Sequence, residues 1–359
     1  MRYALDDTGQ LVVAKEVRFN TRKNFDSTKV DDDGNQKVLR TGYTEKEQWN
    51  EELAHLSKAD QLIDVATYDE RGIAFMPVLE KDLFEAVEQE PPPEGATEYP
   101  AWCHNREAVV NTMVYDIATQ LQTMHAGGHL HLDIKPENIA VDSEGDLKLV
   151  DFGLARKIDK KASGVYGTMG TPDFMAPEVF LKQFSTTQAE MWSLGATAIT
   201  LLSGTYLMEE AVSAFQRKAK RDQLNKGEEL KKLPTMLAFQ RAHEFYAEVY
   251  NKSLHQGIFN MNLFLRNSDS KYFPSILEAY KKAPKQTLWH LSSLLAPEPE
   301  NRLTTTEATA SLGSSSERPK IRERSRQTLM SDHAPSRERT ITQDWLEAHR
   351  SIYNPTRRS

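Results

Sequence analysis

Between His129 and Gly153 the chain reads HLHLDIKPENIAVDSEGDLKLVDFG. Asp133, Lys135 and Asn138 sit close together. Two short apolar runs around Ser143-Glu144-Gly145-Asp146 then predict a β-hairpin. A hairpin carries the chain out and back, so Asp151 returns near Asn138. These residue types suit phosphoryl transfer from a metal-bound nucleotide. That chemistry needs a carboxylate to orient the acceptor hydroxyl and take its proton, a role Asp133 can fill. It needs a second carboxylate and an amide oxygen, Asp151 and Asn138, to hold Mg²⁺ against phosphates. A lysine, here Lys135, can neutralise charge near the group in transfer.

The motif set resembles the eukaryotic-like protein kinase family, serine/threonine branch. The matching pieces, in order and at family spacing, are His131-Leu132-Asp133, the run from Asp133 to Asn138, Asp151-Phe152-Gly153, Gly170-Thr171-Pro172 and Ala176-Pro177-Glu178. A lone Asp-Phe-Gly would carry little weight; the ordered set is specific. The resemblance implies an α+β, bilobal protein-kinase-like fold, with a small antiparallel-sheet N-lobe, here truncated, and a larger helical C-lobe. It implies ATP and Mg²⁺ as cofactors and a protein substrate with a Ser or Thr acceptor. Asp133 and Lys135 then become catalytic, and Asn138 and Asp151 metal-binding. Residues 1–303 are the expected kinase-like domain, with the N-lobe at 1–79 and the C-lobe at 80–303.

The elements that must position these groups begin with Leu11 to Val17, a strand-like β-branched run. By resemblance, its Lys15 holds the α- and β-phosphates. The family places a Gly-x-Gly-x-x-Gly hairpin just before this strand, and the chain begins after that point. Gly9 and Gly34 have the wrong spacing to supply it. Three explanations compete: a recorded start that is too late, a degraded or regulatory kinase-like molecule, or coverage of the phosphates by another route. Residues 20–46 are polar and predict a long loop or hairpin insertion. Their Asp31-Asp32-Asp33-Gly34 run lacks the spacing and closing glutamate of an EF-hand. Glu47 to Lys58 has Trp49, Leu53 and Leu56 at helical spacing. A strict count puts the family's lysine-pairing glutamate on Trp49; a small shift brings it to Glu51 or Glu52. Leu62–Tyr68 and Ile73–Leu79 read as strands. Met76 then resembles the gatekeeper behind adenine, and Pro77, Val78 and Leu79 the hinge.

Downstream, Asp82 to Gln89 reads as a short helix and a proline-rich loop runs on to about Trp102. Arg106 to His125 is a helix with Val110, Met113, Val114, Ile117, Leu121 and Met124 on one face. His131 resembles the family's structural histidine under the Asp-Phe-Gly turn. Leu132 stands where phosphorylation-regulated members carry arginine to pair with a phosphate, which implies control by another route. The segment from Asp151 to Glu178 carries Arg156, Lys157, Lys160 and Lys161, with Ser163 and Thr168 as autophosphorylation candidates. Thr171 resembles a threonine bonded toward Asp133 and Lys135, which favours Ser/Thr over Tyr acceptors. Glu178 is expected to pair with Arg302. Ala189 to Leu202 reads as a buried helix in which Glu190 replaces the family's aspartate. Residues 206–293 are mostly helical by pattern and match no motif.

The 359 residues carry a net charge of −7 and are 39% hydrophobic, enough for a sizeable core and without the basic excess of a nucleic-acid binder. Cys103 is the sole cysteine, which rules out an intramolecular disulfide and fits a reducing compartment. No apolar run is long enough to cross a membrane, and the start resembles neither a signal peptide nor a lipidation motif. The expected location is cytoplasmic; nothing in the sequence separates this from nuclear residence or delivery into a host cell. Residues 304–340 read as a disordered basic Ser/Thr-rich linker, in which Arg318, Lys320, Arg322, Arg324 and Arg326 could meet an acidic partner. Residues 341–359 read as a terminal helix and tail. The leading expectation is a serine/threonine kinase. The alternative is a pseudokinase or weakly active scaffold or allosteric regulator. The missing glycine loop, Leu132 and Glu190 favour the alternative; Lys15, Asp133, Asn138 and Asp151 oppose it.

Overall fold

Leu11–Arg18 opens on apolar, β-branched residues and is a strand along its whole length, β2. The computed structural model describes residues 2–5, 11–19, 27–30, 36–39, 45–68, 71–79, 81–83, 99–142, 146–221, 235–256, 258–267, 269–274, 276–277 and 285–313. In it, β2 lies between β1 (Arg2–Leu5) and β6 (Arg71–Pro77), and β5 (Asp64–Tyr68) completes an antiparallel sheet of order β1-β2-β6-β5. Lys15 stands opposite Ala74 and Val13 opposite Met76. Helix α1 (Glu45–Lys58) buries Trp49 and Leu56 in the same core as Ala74. Gly72 permits this approach, since a Cβ there would overlap the Trp49 indole. The expected insertion holds a separate hairpin, β3 (Ser27–Val30) with β4 (Gln36–Leu39). The Asp31–Gly34 run lies outside the described residues.

The second, helical part is joined on by β7 (Lys81–Asp82), which pairs with β9 (Ile139–Val141). Asp82 is therefore a strand residue, which corrects the helix expected to start there; residues 84–89 of that helix lie outside the described residues. Helix α2 (Tyr99–Ala126) begins before the expected Arg106, so the loop reading up to Trp102 is also corrected. Pro100 falls in the first turn, where a proline removes no helical hydrogen bond. The anticipated apolar face is real: Val110, Met113, Val114, Ile117 and Leu121 are buried, and Met124 partly so. The predicted hairpin forms from β9 and β10 (Leu147–Leu149), with Leu149 opposite Ile139. Beyond it, the Val150 N–H donates to Asn138 O at 2.9 Å. The Gln120 amide satisfies the outer edge of β10, donating to Leu147 O and accepting from Leu149 N–H, both at 2.9 Å.

After two-residue strands β8 (His129–Leu130), β11 (Arg156–Lys157), β12 (Val165–Tyr166) and β13 (Phe184–Ser185) come the remaining helices. Short α3 (Pro177–Lys182) precedes α4 (Thr187–Ser203), whose residues from Ala189 to Leu202 are buried except Ser193. Gly204 ends α4 in the left-handed region at φ 73°, its N–H reaching Thr200 O. Helices α5 (Leu207–Arg221), α6 (Thr235–Asn251), α7 (Met261–Arg266) and α8 (Lys285–Leu294) fill much of the expected helical stretch. Helix α9 (Thr305–Gly313) overturns the expectation that disorder starts at 304. Its start is a capping box: Thr304 N–H donates to Glu307 Oε2 at 2.8 Å and Glu307 N–H to Thr304 Oγ1 at 3.2 Å. Residues 314–359, including the basic run and the proposed terminal helix, lie outside the described residues. No helix among the described residues is long and apolar enough to cross a membrane.

Glu178 and Arg302 close the helical part. Arg302 Nη1 and Nη2 reach Glu178 Oε1 and Oε2 at 2.6 and 2.8 Å, a bidentate pair buried on both sides. The guanidinium also donates to the carbonyls of Ala296, Pro297 and Gln188. Removing one partner strands a buried charge, whereas removing both does not. Arg302→Met is therefore expected to cost about 3–5 kcal/mol in urea unfolding, and Glu178→Leu/Arg302→Met together less than the sum of the two single changes.

Candidate active site

Pro136–Asn138 form one 3-10 turn that folds Asn138 back under Asp133. Asn138 Nδ2 donates to both Asp133 O and Asp133 Oδ2 at 2.8 Å. Both partners only accept, so the amide orientation is set and Oδ1 faces away from them. Thr171 Oγ1 donates to Asp133 Oδ1 at 2.7 Å. Lys135 Nζ lies 3.0 Å from Asp133 Oδ2 and donates to Thr171 Oγ1 at 2.9 Å. Gly170 brings this segment against the loop: its φ is +105°, and a Cβ would run into Leu132 O. Asp133, Lys135, Asn138 and Thr171 thus form one network.

Lys15, Glu52 and Asp151 form a second. Lys15 Nζ lies 2.5 Å from Glu52 Oε1 and 2.9 Å from Asp151 Oδ1. This settles the choice between Glu51 and Glu52. It also corrects the strict count, because Trp49 is a core residue facing Gly72. Glu52 lies one helical turn before Leu56, with its side chain turned to the cleft. Burial pulls the Lys15 pKa down, but Glu52 and Asp151 outweigh it and the net shift is upward. Burial pushes Asp151 up, and the Lys15 ammonium more than reverses this, leaving it below its ordinary value. Both groups stay charged at neutral pH. The two networks meet where Val150 N–H reaches Asn138 O. Met76 is half-buried in β6 against the main core, and half-buried Val78 and Leu79 lead toward β7.

Beneath both networks sits Glu190 of α4. Its Oε1 accepts the N–H groups of His131 at 2.6 Å and Leu132 at 2.7 Å, and Oε2 meets His125 Nε2 at 2.6 Å. The longer side chain therefore reaches fully. His131 Nε2 faces Val150 O at 3.0 Å and so carries the ring proton, while Nδ1 accepts from Asp133 N–H. The ring lies edge-on to Phe152, centroids 5.2 Å apart. Leu132, at φ 71°, is buried with Leu130 and Val165 against Leu154, Ile158 and Met169. Arg156 departs from the expected basic cluster: it is buried and donates to Ala155 O at 2.9 Å, while Lys157, Lys160 and Lys161 are exposed. Sequence reasoning missed His125, Gln120 and Gln48, whose Nε2 donates to Gly153 O. Each acts across a long separation, and no local pattern marks it.

A family model described as the protein kinase domain matches residues 8–312. Mitogen-activated protein kinase kinase kinase 2 of Arabidopsis thaliana is 39% identical over 100 residues, 27% of this chain and 15% of its own length. Ribosomal protein S6 kinase alpha-3 of Mus musculus is 37% identical over 99 residues, 28% of this chain and 13% of its own. Mitogen-activated protein kinase pmk-3 of Caenorhabditis elegans is 29% identical over 203 residues, 55% of this chain and 39% of its own. The chain thus spans well under half the length of these relatives.

Several histidines are held neutral by the fold. Burial, then the neighbouring His129, Lys58 and His131, lower the His55 pKa to about 4, and burial with Arg302 lowers His243 to about 3. His131 is lowered by burial. In the unfolded chain a histidine titrates near 6.5. The unfolded state therefore takes up protons first as pH falls. The stabilisation is present above pH 6.5 and is lost progressively toward pH 4. The melting temperature is expected to drop between pH 7 and pH 5, and His55→Phe to flatten that slope; a flat wild-type profile would contradict the assignment.

Proposed function

This chain belongs to the protein kinase domain family, and on that premise we propose that it moves the γ-phosphoryl group of ATP to a serine or threonine hydroxyl of a protein. The observation that carries the reading is the convergence of Asp133, Lys135 and Asn138 in one network, with Asp151 returned beside it by the β9–β10 hairpin. Asp133 receives the acceptor proton as the hydroxyl oxygen bonds to phosphorus and the bond to ADP breaks. Thr171 and Asn138 hold its carboxylate in one orientation. Lys135 supplies positive charge beside the transfer. Lys15, kept protonated by Glu52 and Asp151, pairs with the nucleotide phosphates. Met76 backs the adenine, and the backbone at Val78 and Leu79 bonds to it.

The donor set fits a magnesium ion. Asn138 Oδ1 points away from the Asp133 network, and the Asp151 side chain is 44% exposed. Both are hard oxygen donors of the kind Mg²⁺ takes alongside phosphates. When bound, the ion neutralises phosphate charge during transfer. Thr171, bonded to both Asp133 and Lys135, supports Ser/Thr over Tyr acceptors. The apolar packing around Leu132 supports a segment that is assembled without a phosphate. One observation favours a second reading, nucleotide binding with little transfer: Leu132 stands in the place of the arginine that phosphorylation-regulated members of the family carry.

A radiolabelled transfer assay decides between them. Asp133→Asn is expected to lower transfer about 10²–10⁴-fold. Glu52→Gln is expected to weaken Mg-ATP binding, read by thermal shift, while Glu51→Gln leaves it near wild type. Wild-type transfer equal to that of Asp133→Asn sinks the enzyme reading; a thermal shift retained in both then supports the binding-only alternative.

A further inference from the structure

Gln48 lies one helical turn before Glu52 on α1, so the two side chains leave the same face. Glu52 reaches the Asp151-Phe152-Gly153 turn indirectly, through Lys15 at 2.5 and 2.9 Å. Gln48 reaches it directly, donating from Nε2 to Gly153 O. One turn further on, the His55 ring stacks on Phe152, centroids 5.6 Å apart and planes 16° from parallel. The turn needs such support. Asp151 has φ 59°, a left-handed conformation uncommon outside glycine, although aspartate adopts it more readily than most residues. Among the described residues the Gly153 carbonyl has one other donor, Arg156 Nη1, at a long 3.4 Å. Gly153 O is in turn the only hydrogen-bond partner of the Gln48 amide among the described residues.

We propose that Gln48 is a positioning residue: it fixes the backbone of the Asp151-Phe152-Gly153 turn to α1, and so fixes where the Asp151 carboxylate stands. Glu52 holds Lys15 and Lys15 holds the Asp151 side chain; Gln48 holds the backbone that side chain grows from. The Gln48 contact joins a neutral amide to a neutral carbonyl, so neither salt nor pH weakens it as they weaken an exposed ion pair.

The activity readout rests on the kinase reading above; hydrogen exchange does not. Gln48→Met keeps the side-chain length and removes the donor, and Gln48→Ala serves as a second variant. Each is expected to lower kcat about 3–10-fold, the range of one lost hydrogen bond, with KM for the protein acceptor unchanged. Amide exchange from Phe152 to Ala155 is expected to quicken, with exchange in α4 unaltered and the melting temperature within about 2 °C of wild type. A kcat within twofold of wild type overturns the proposal, as does lower kcat with unaltered exchange in the turn. Exchange quickened throughout α1 also overturns it, since the glutamine would then serve helix stability alone. If wild type transfers no more than Asp133→Asn, the kinase reading fails, and turn exchange in nucleotide-free protein still decides the role of Gln48.

Discussion

The structure depends on one buried carboxylate. Glu190 is 2% exposed in a helix buried from Ala189 to Leu202 except at Ser193, and a carboxyl group in that position is tolerable only when its oxygens are fully used. Two consecutive backbone N–H groups and an imidazole use them. In exchange, the carboxylate pins the backbone of His131 and Leu132, where a leucine is held at φ 71°. Asp133 follows directly, so its direction is referenced to the rigid interior of the helical part rather than to the loop that carries it. The extra methylene of glutamate is accommodated because the second oxygen engages His125.

The sheet part is tied to this frame through α1. Side chains one turn apart on one helix face meet the Asp151 turn as an amide, a carboxylate acting through Lys15, and an imidazole stacked on Phe152. Gln61 adds a fourth tie, donating to Leu149 O just past the end of the helix. None of these is an isolated surface pair, and at Lys15 the attraction of Glu52 and Asp151 together outweighs the cost of desolvation.

The site was legible where its chemistry is local. Asp133, Lys135 and Asn138 lie within one loop, and the hairpin that returns Asp151 follows from two apolar runs around a turn. Thr171 and the Glu178–Arg302 pair were legible only through resemblance, because partners so far apart leave no periodic signal. The errors have physical causes. Asp82 begins a helix-like stretch, but its backbone pairs with Ala140. The proline-rich run before Tyr99 masked two turns of α2. The Thr304–Glu307 capping box was a readable start signal for α9, outweighed by the Ser/Thr-rich composition beyond it.

By itself, then, the sequence determined the order of the candidate reactive groups, the elements that carry them and the buried faces of α2 and α4, since these rest on spacing and periodicity within a few turns of chain. Only the tertiary structure decided between Glu51 and Glu52, turned Arg156 inward, and enlisted Gln48, Gln120 and His125. Neighbouring residues on one helix differ little in local preference; which of them does the work depends on the direction its side chain leaves the helix and on what the rest of the fold has placed there.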